Sequence, residues 1–330
     1  MTTIRAALVK EVGRLPVCET TTLKERLPNQ VQVKVVASGV HQLVKALASG
    51  QHYAAGGQLP MVPGVDGSGY LPNGDPVYFI SFMDRQSTGA MASLINIDQS
   101  CCLPVPPNAD LKKVAALANP AMSSWLALRC RAAQPLPRDF QVLIIGATGA
   151  SGQLAIQIAR QLGASRVIGT ARNATLLNEL ANTSNGLDVA IPLPATDDDE
   201  AAFQERIGQE TTKVDVVLDY LGGHPAELCL RSMVPLRQDK QQRLDFVQIG
   251  SMAGPDVTVP ASALRSANFY VSGSGLGSIT PTEMKQQLAE LVQHLGVGTL
   301  DFPIVEKDVS QVEQVWNERT DGRLVLTFEQ

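Results

Sequence analysis

The chain contains no long apolar run, no cluster of basic residues and no CxxC pair, and each absence removes a class of function. Without an apolar stretch of about 20 residues there is no candidate membrane span. A net charge of −5 with no basic cluster argues against nucleic acid and anionic membrane surfaces as partners. Cys18, Cys101, Cys102, Cys130 and Cys229 are odd in number and irregularly spaced, which predicts reduced, mostly buried thiols rather than a disulfide framework. The first residues, Met1, Thr2, Thr3, Ile4 and Arg5, lack the apolar core of a signal peptide, so the expected location is cytoplasmic. Neither an internal repeat nor a low-complexity tract is visible. What is present is 330 residues with 44% hydrophobic and 18% charged side chains, enough for two domains with substantial cores.

The most informative stretch is residues 141–160. Val142, Leu143, Ile144 and Ile145 form an uninterrupted apolar run, as expected of a parallel strand covered on both faces. Beyond a glycine turn, Leu154, Ala155, Ile158, Ala159 and Leu162 fall on one helical face. Between them Ala147, Gly149 and Gly152 occupy the spacings of a dinucleotide fingerprint, with alanine in the first slot. Gly149 would let a pyrophosphate approach the backbone, and Gly152 would let helix and strand pack closely. The amides of Thr148, Gly149, Ala150, Ser151 and Gly152 would then face phosphate oxygens at the positive end of the helix dipole. The alternative is a glycine turn that holds no ligand.

The first third of the chain has a β-rich pattern, with strands expected at residues 5–10, 30–38 and 76–80 and turn formers dense over 60–74. A helix is expected over 41–48, an extended proline connector over 104–108, and helical structure from 111. The pattern then changes to strand–helix alternation, the mark of a parallel sheet. Strands are predicted at 141–145, 166–170, 188–191, 214–219, 245–249 and 269–273. Helices are predicted at 152–162, 174–181, 201–208, 225–233 and 282–295, with 197–200 a solvated acidic loop. The fold class is therefore α/β, a doubly wound Rossmann sheet accompanied by a β-rich domain. After Leu300 the alternation stops; Val315 and Trp316 belong to an amphipathic helix, and 323–328 is a strand of the kind that returns to the first domain.

Taken in order, residues 37–40, 59–69, 73–77, Asn119 with Pro120, the glycine turn, 214–223 and 322–326 make the chain resemble the medium-chain dehydrogenase/reductase superfamily, in its zinc-free quinone-oxidoreductase-like branch. The resemblance implies a GroES-like catalytic domain, 1–120 with 302–330, and a Rossmann domain, 121–301, with the active cleft between them. It also implies a homodimer formed through an edge strand near 269–273. Zinc alcohol dehydrogenases of the superfamily carry Cys where this chain has His41, and His followed by Glu where it has Val65 and Asp66. Valine ligates nothing, and two ligands fall short of the three a catalytic zinc requires, so no metal is expected.

Rossmann domains that use NAD usually carry an acid at the end of the second strand. Here that position holds Arg172, whose fork suits a 2′-phosphate, and NADP(H) is the expected cofactor. A solvent-facing arginine at a helix start is the alternative. Two departures thin the implied phosphate clamp: Leu176 and Leu177 stand where relatives carry Lys, and Pro192 where they often carry Tyr. Around the nicotinamide the resemblance suggests Asn119, Ser123, Gly250, Ser251, Gly275 and Leu276, each of which would otherwise be an ordinary turn or helix residue. His41 replaces an Asn common in this branch.

The chemistry most compatible with these parts is hydride transfer from NADPH to a small electrophilic substrate, a quinone or an α,β-unsaturated carbonyl, whose conjugated oxygen accommodates the developing charge. The resemblance makes Tyr53 a candidate proton donor, since it lies close to where enoyl thioester reductases of the superfamily carry a proton-donating Tyr, and His41, like His52, could donate near neutral pH; the alternatives are a rim aromatic for Tyr53 and a structural hydrogen bond for His41. Ser123 and Ser124 have no His–acid pair nearby in sequence, so nucleophilic catalysis is not supported. Two other functions stay open: an enoyl thioester reductase, to which Tyr53 and Asn119 with Pro120 point, and a non-catalytic NADPH-binding sensor or structural protein. Val44 and Lys45, where relatives often place Asp, favour the latter.

Overall fold

A computed structural model describes residues 2–50, 59–84, 86–275 and 277–328. The chain forms two compact units, Met1–Asn119 with Leu288–Gln330, and Pro120–Gln287. The later division between the units falls at Leu288, within helix Pro281–Gly296. The end of helix Pro281–Gly296 is tied to the first unit: Gln293 Nε2 donates to the Pro104 carbonyl at 2.9 Å, and beyond the helix Asp301 pairs with Lys113 at 2.6 Å.

The second unit is built on six strands: Gln141–Ile145, Arg166–Ala171, Val189–Pro192, Val216–Asp219, Leu244–Gln248 and Phe269–Gly273. All neighbours are parallel, and their spatial order is third, second, first, fourth, fifth, sixth. The order reverses between the first and fourth strands, which makes the carboxyl ends of these two the switch point of a doubly wound sheet. Leu143, Ile145, Ile168, Val217 and Phe246 share a core with Phe203, Ile207, Leu228 and Cys229 from the covering helices. Burying each of the larger side chains contributes about 1.5–3 kcal/mol.

The first unit centres on the strand Gln30–Gly39, which changes partner along its length. Its first half pairs with Leu94–Asp98, its middle with Gly67–Tyr70, and its last residues with Arg323–Thr327. A register irregularity lies between Val35 and Ala37, where the partners change. Pro76–Phe79 and Cys102–Pro104 extend the sheet on one side, Ile304–Asp308 on the other. Thr3–Leu8 and Val17–Thr22 form a separate ribbon.

Several local expectations are corrected here. Gly67–Tyr70 is a strand inside the turn-rich stretch 60–74, and Cys102–Pro104 is a strand that reaches the start of the proline connector. The helix beginning at Leu111 runs through Pro120 to Leu126. The amphipathic helix near Trp316 is a single turn, Val312–Val315, with Trp316 as its cap. Of the thiols, Cys101 and Cys229 are buried, while Cys18, Cys102 and Cys130 are only partly so. Among the described residues no helix is long and apolar enough to cross a membrane.

Candidate active site

The turn after the first parallel strand is held from behind by the second. The N–H groups of Gly146 and Ala147 both donate to the Thr170 carbonyl, at 2.8 and 3.1 Å. Gly149 caps helix Ala150–Gln161 without a side-chain bond, and the first helical hydrogen bond runs from Gln153 N–H to its carbonyl at 2.8 Å. The amides of Ala150, Ser151 and Gly152 therefore begin the helix with no intrahelical acceptor. Gln153 Nε2 fixes the turn further by donating to the Thr148 carbonyl at 2.9 Å. The two glycines differ in what they do. A Cβ on Gly152 would lie 2.3 Å from the Gly146 oxygen and 2.7 Å from Ala147 Cα, so helix–strand packing requires glycine there. Among the described residues a Cβ on Gly149 would meet nothing closer than 3.6 Å, so packing against them does not explain that glycine. Its open side suits a phosphate lying against the backbone.

Other expected residues gather along the same carboxyl edge. Arg172 follows the second strand, is exposed, and makes no hydrogen bond or ion pair among the described residues. Gly250 and Ser251 follow the fifth strand, with the Gly250 amide donating to the Asp219 carbonyl at 3.0 Å. Gly275 lies past the sixth, its amide held by Ser278 Oγ at 2.8 Å. Ser123 is drawn inward: its hydroxyl donates to the Pro120 carbonyl at 2.7 Å and accepts from the Tyr220 phenol at 3.2 Å. Burial pushes that phenol up to about 12 against the opposing serine hydrogen bonds.

Asp219 ends the fourth strand, at the switch point, with its side chain buried. Oδ1 accepts the amides of Leu221 and Gly222 at 2.9 and 3.0 Å, while Oδ2 is buried with no partner among the described residues. Desolvation raises this carboxyl to about 6, outweighing the two amide bonds that lower it. The sequence signal for Asp219 was available: a carboxylate closing an otherwise apolar parallel strand.

His41 lies in the first unit, as the N-cap residue of helix Gln42–Ala48, and is buried. Its Nε2 is 2.9 Å from Asp66 Oδ1, and Arg323 Nη2 donates to its Nδ1. Because a guanidinium only donates, Nδ1 is the acceptor and the ring proton sits on Nε2, facing the carboxylate. Tyr78 donates its hydroxyl to Asp66 Oδ2 at 2.7 Å, and Ser38 Oγ donates to the Asp66 carbonyl at 2.8 Å. Burial lowers the pKa of His41 despite the carboxylate, and Arg323 adds to the lowering, so the ring is neutral. Gly39 makes room for it, since a Cβ there would lie 2.3 Å from the imidazole. Both ring nitrogens are thus committed inside the unit, an arrangement in line with the structural hydrogen bond, one of the two readings that the sequence leaves open for His41.

Asn119 lies on helix Leu111–Leu126, partly buried, at the last position grouped with the first unit. Tyr53 and Leu276 lie outside the described residues. Tyr78 and Arg323 were not singled out from sequence; Arg323 is in the terminal motif, but its partner His41 is remote along the chain.

A family profile described as zinc-binding dehydrogenase matches residues 150–294. A probable NADPH-dependent quinone reductase, tdiC of Emericella nidulans, is 29% identical over 91% of this chain and 92% of its own length. These matches support a medium-chain dehydrogenase/reductase superfamily member of the quinone-oxidoreductase-like kind. Its fold matches that of a mycobacterial quinone oxidoreductase with a TM-score of 0.80, at 21% identity and covering 98% of this chain and 99% of that one. The structure of Etr1p with NADP and crotonyl-CoA matches with a TM-score of 0.79, at 17% identity, covering 99% of this chain and 100% of that one.

Zinc members of the superfamily hold the metal with three protein ligands. His41 and Asp66 are two ligand types, but Val65 supplies none, and the Arg323 guanidinium approaches the same imidazole. A cation on the ligand nitrogen is the opposite of what zinc needs, and the donor set does not fit the metal. Among the described residues no group of three or more His, Cys, Asp or Glu is placed to hold one.

Proposed function

We propose that the chain is an NADPH-dependent reductase of quinones or α,β-unsaturated carbonyls that works without a metal. The observation that carries the reading is the open backbone at Gly149, beside three helix-head amides and the unpaired Arg172 at the end of the next strand. The amides of Ala150, Ser151 and Gly152 would hold the pyrophosphate, and Arg172 the 2′-phosphate. Gly250, Ser251 and Gly275 would line the path of the rest of the cofactor along the sheet edge. NADPH supplies a hydride from C4 of its nicotinamide when bound. The quinone-reductase name of the Emericella nidulans relative supports the same acceptor class. His41 acts as a positioning residue, since both its nitrogens are held by Asp66 and Arg323. Tyr53 remains the candidate proton donor, and the acceptor becomes a hydroquinone or a saturated carbonyl on taking one hydride and one proton. Two copies would join through the edge strand Phe269–Gly273, where Tyr270 and Val271 are exposed.

Fluorescence titration with NADPH and NADH, followed by turnover with benzoquinone, an enone and a 2-enoyl thioester, tests the reading. The expected result is tighter binding of NADPH and turnover of a quinone or enone that survives a chelator. Turnover of the thioester alone makes the chain an enoyl thioester reductase, and binding without turnover makes it a sensor. Absence of NADPH binding overturns the proposal. Light scattering that gives a monomer rejects the dimer.

A further inference from the structure

Away from the glycine turn, the first unit carries a pocket of about 330 Å³ whose chemistry is one-sided. The turn residues Arg14 and Leu15, the helix residues Gln42 and Lys45, and Trp316 with Asn317 line it, and no described lining residue is acidic. In a chain of net charge −5, two cations and two amide side chains around one pocket are not a bulk property.

Lys45 is the informative member. It is half-buried on helix Gln42–Ala48, and its ammonium makes no hydrogen bond or ion pair among the described residues. Burial lowers its pKa, and the neighbouring Arg323 lowers it further. Arg323 carries the same charge and its guanidinium is directed to His41, so it offers the ammonium no pairing. Arg14 approaches Glu11 at 3.7 Å, but both side chains are largely exposed, so that pair is weak. A partly desolvated ammonium beside a second cation is unfavourable unless an anion completes the site. Leu15 and Trp316 add an apolar wall, so the pocket suits more than a bare ion.

We propose that this pocket binds the carboxylate or phosphate group of a small organic molecule, with Lys45 and Arg14 pairing the anion and the molecule's apolar body against Leu15 and Trp316. The site lies wholly in the first unit and is independent of the reductase reading.

Isothermal titration of the full chain at fixed ionic strength, with benzoate, phenyl phosphate and the neutral benzyl alcohol as probes, tests the proposal. At least one of the two anions is expected to saturate a single site, and the alcohol is not. Binding of benzoate alone assigns a carboxylate and of phenyl phosphate alone a phosphate ester; either result supports the site. Lys45→Gln should weaken the anion about tenfold and Lys45→Arg by no more than about threefold, the charge rather than the shape being removed. Lys213→Gln, an exposed lysine in the other unit, controls for net charge. Anion binding that persists unchanged in Lys45→Gln belongs to another place, such as the glycine turn, and overturns the proposal. Absence of saturable binding in the unaltered chain does the same.

Discussion

The glycine turn of the parallel sheet and the His41 cluster of the antiparallel unit are both polar, yet they are built on opposite plans. At the turn, backbone amides begin a helix without acceptors, and the space outside Gly149 is open. In the cluster, His41, Asp66 and Tyr78 satisfy one another in full burial, while Arg323 Nε has no partner among the described residues. An arrangement that leaves donors waiting is made for a ligand; one that closes on itself holds elements together. His41 joins a helix start, Asp66 the approach to one strand, Tyr78 a second strand and Arg323 the terminal strand. A residue type alone, here a histidine near an expected site, does not tell these plans apart.

The largest effect should come from the closed side. Asp66→Asn leaves the guanidinium without its nearby carboxylate, and urea unfolding should show a loss of about 3–5 kcal/mol. A loss below about 1 kcal/mol would mean the cluster is not what ties these elements together. On the open side, Gly152→Ala puts a methyl 2.3 Å from the Gly146 oxygen. We expect roughly 1–3 kcal/mol of destabilisation, and a greater proportional loss in NADPH affinity than in melting temperature.

Asp219 sharpens the contrast, being a half-satisfied group at the edge of the open site. Its carboxyl is raised to about 6, so the folded chain holds this proton more tightly than the unfolded one. The stabilising contribution is therefore complete below about pH 4 and is lost as pH rises through about 6. Asp219→Asn retains an acceptor for Leu221 and Gly222 while removing the charge. Thermal unfolding should show it more stable than the parent at pH 7 by roughly 1–3 kcal/mol, with a flatter slope between about pH 4 and 6. The smallest change is Arg172→Gln, which touches no described partner. NADPH binding should weaken about tenfold, while NADH affinity and melting temperature stay within error. Equal weakening of both coenzymes would remove Arg172 from the 2′-phosphate.

How much was legible depended on how each element is covered. The first and sixth parallel strands lie at the residues expected, Gln141–Ile145 and Phe269–Gly273, and the other four lie within two residues of expectation at either end. Strands enclosed by helices must be apolar throughout, so they are visible as runs. The antiparallel strands Val17–Thr22 and Gly67–Tyr70 are not. Thr20 and Thr22 face solvent, and Gly67 and Gly69 are small because neighbouring backbone and Phe79 leave no room. Glycine demanded by close approach looks, in sequence, like glycine demanded by a turn.

The chain's own order of residues determined the alternating sheet, the glycine turn and the arginine after the second strand, because periodicity and local spacing act over a few residues at a time. Tertiary structure alone decided that His41 meets Arg323 from the far end of the chain, that Asp219 keeps a buried oxygen unpaired among the described residues, and that Lys45 lines a pocket with no acidic side chain in its described lining. These outcomes depend on which distant side chains arrive at the same place and on how much water is left there. Neither quantity is written in a local pattern.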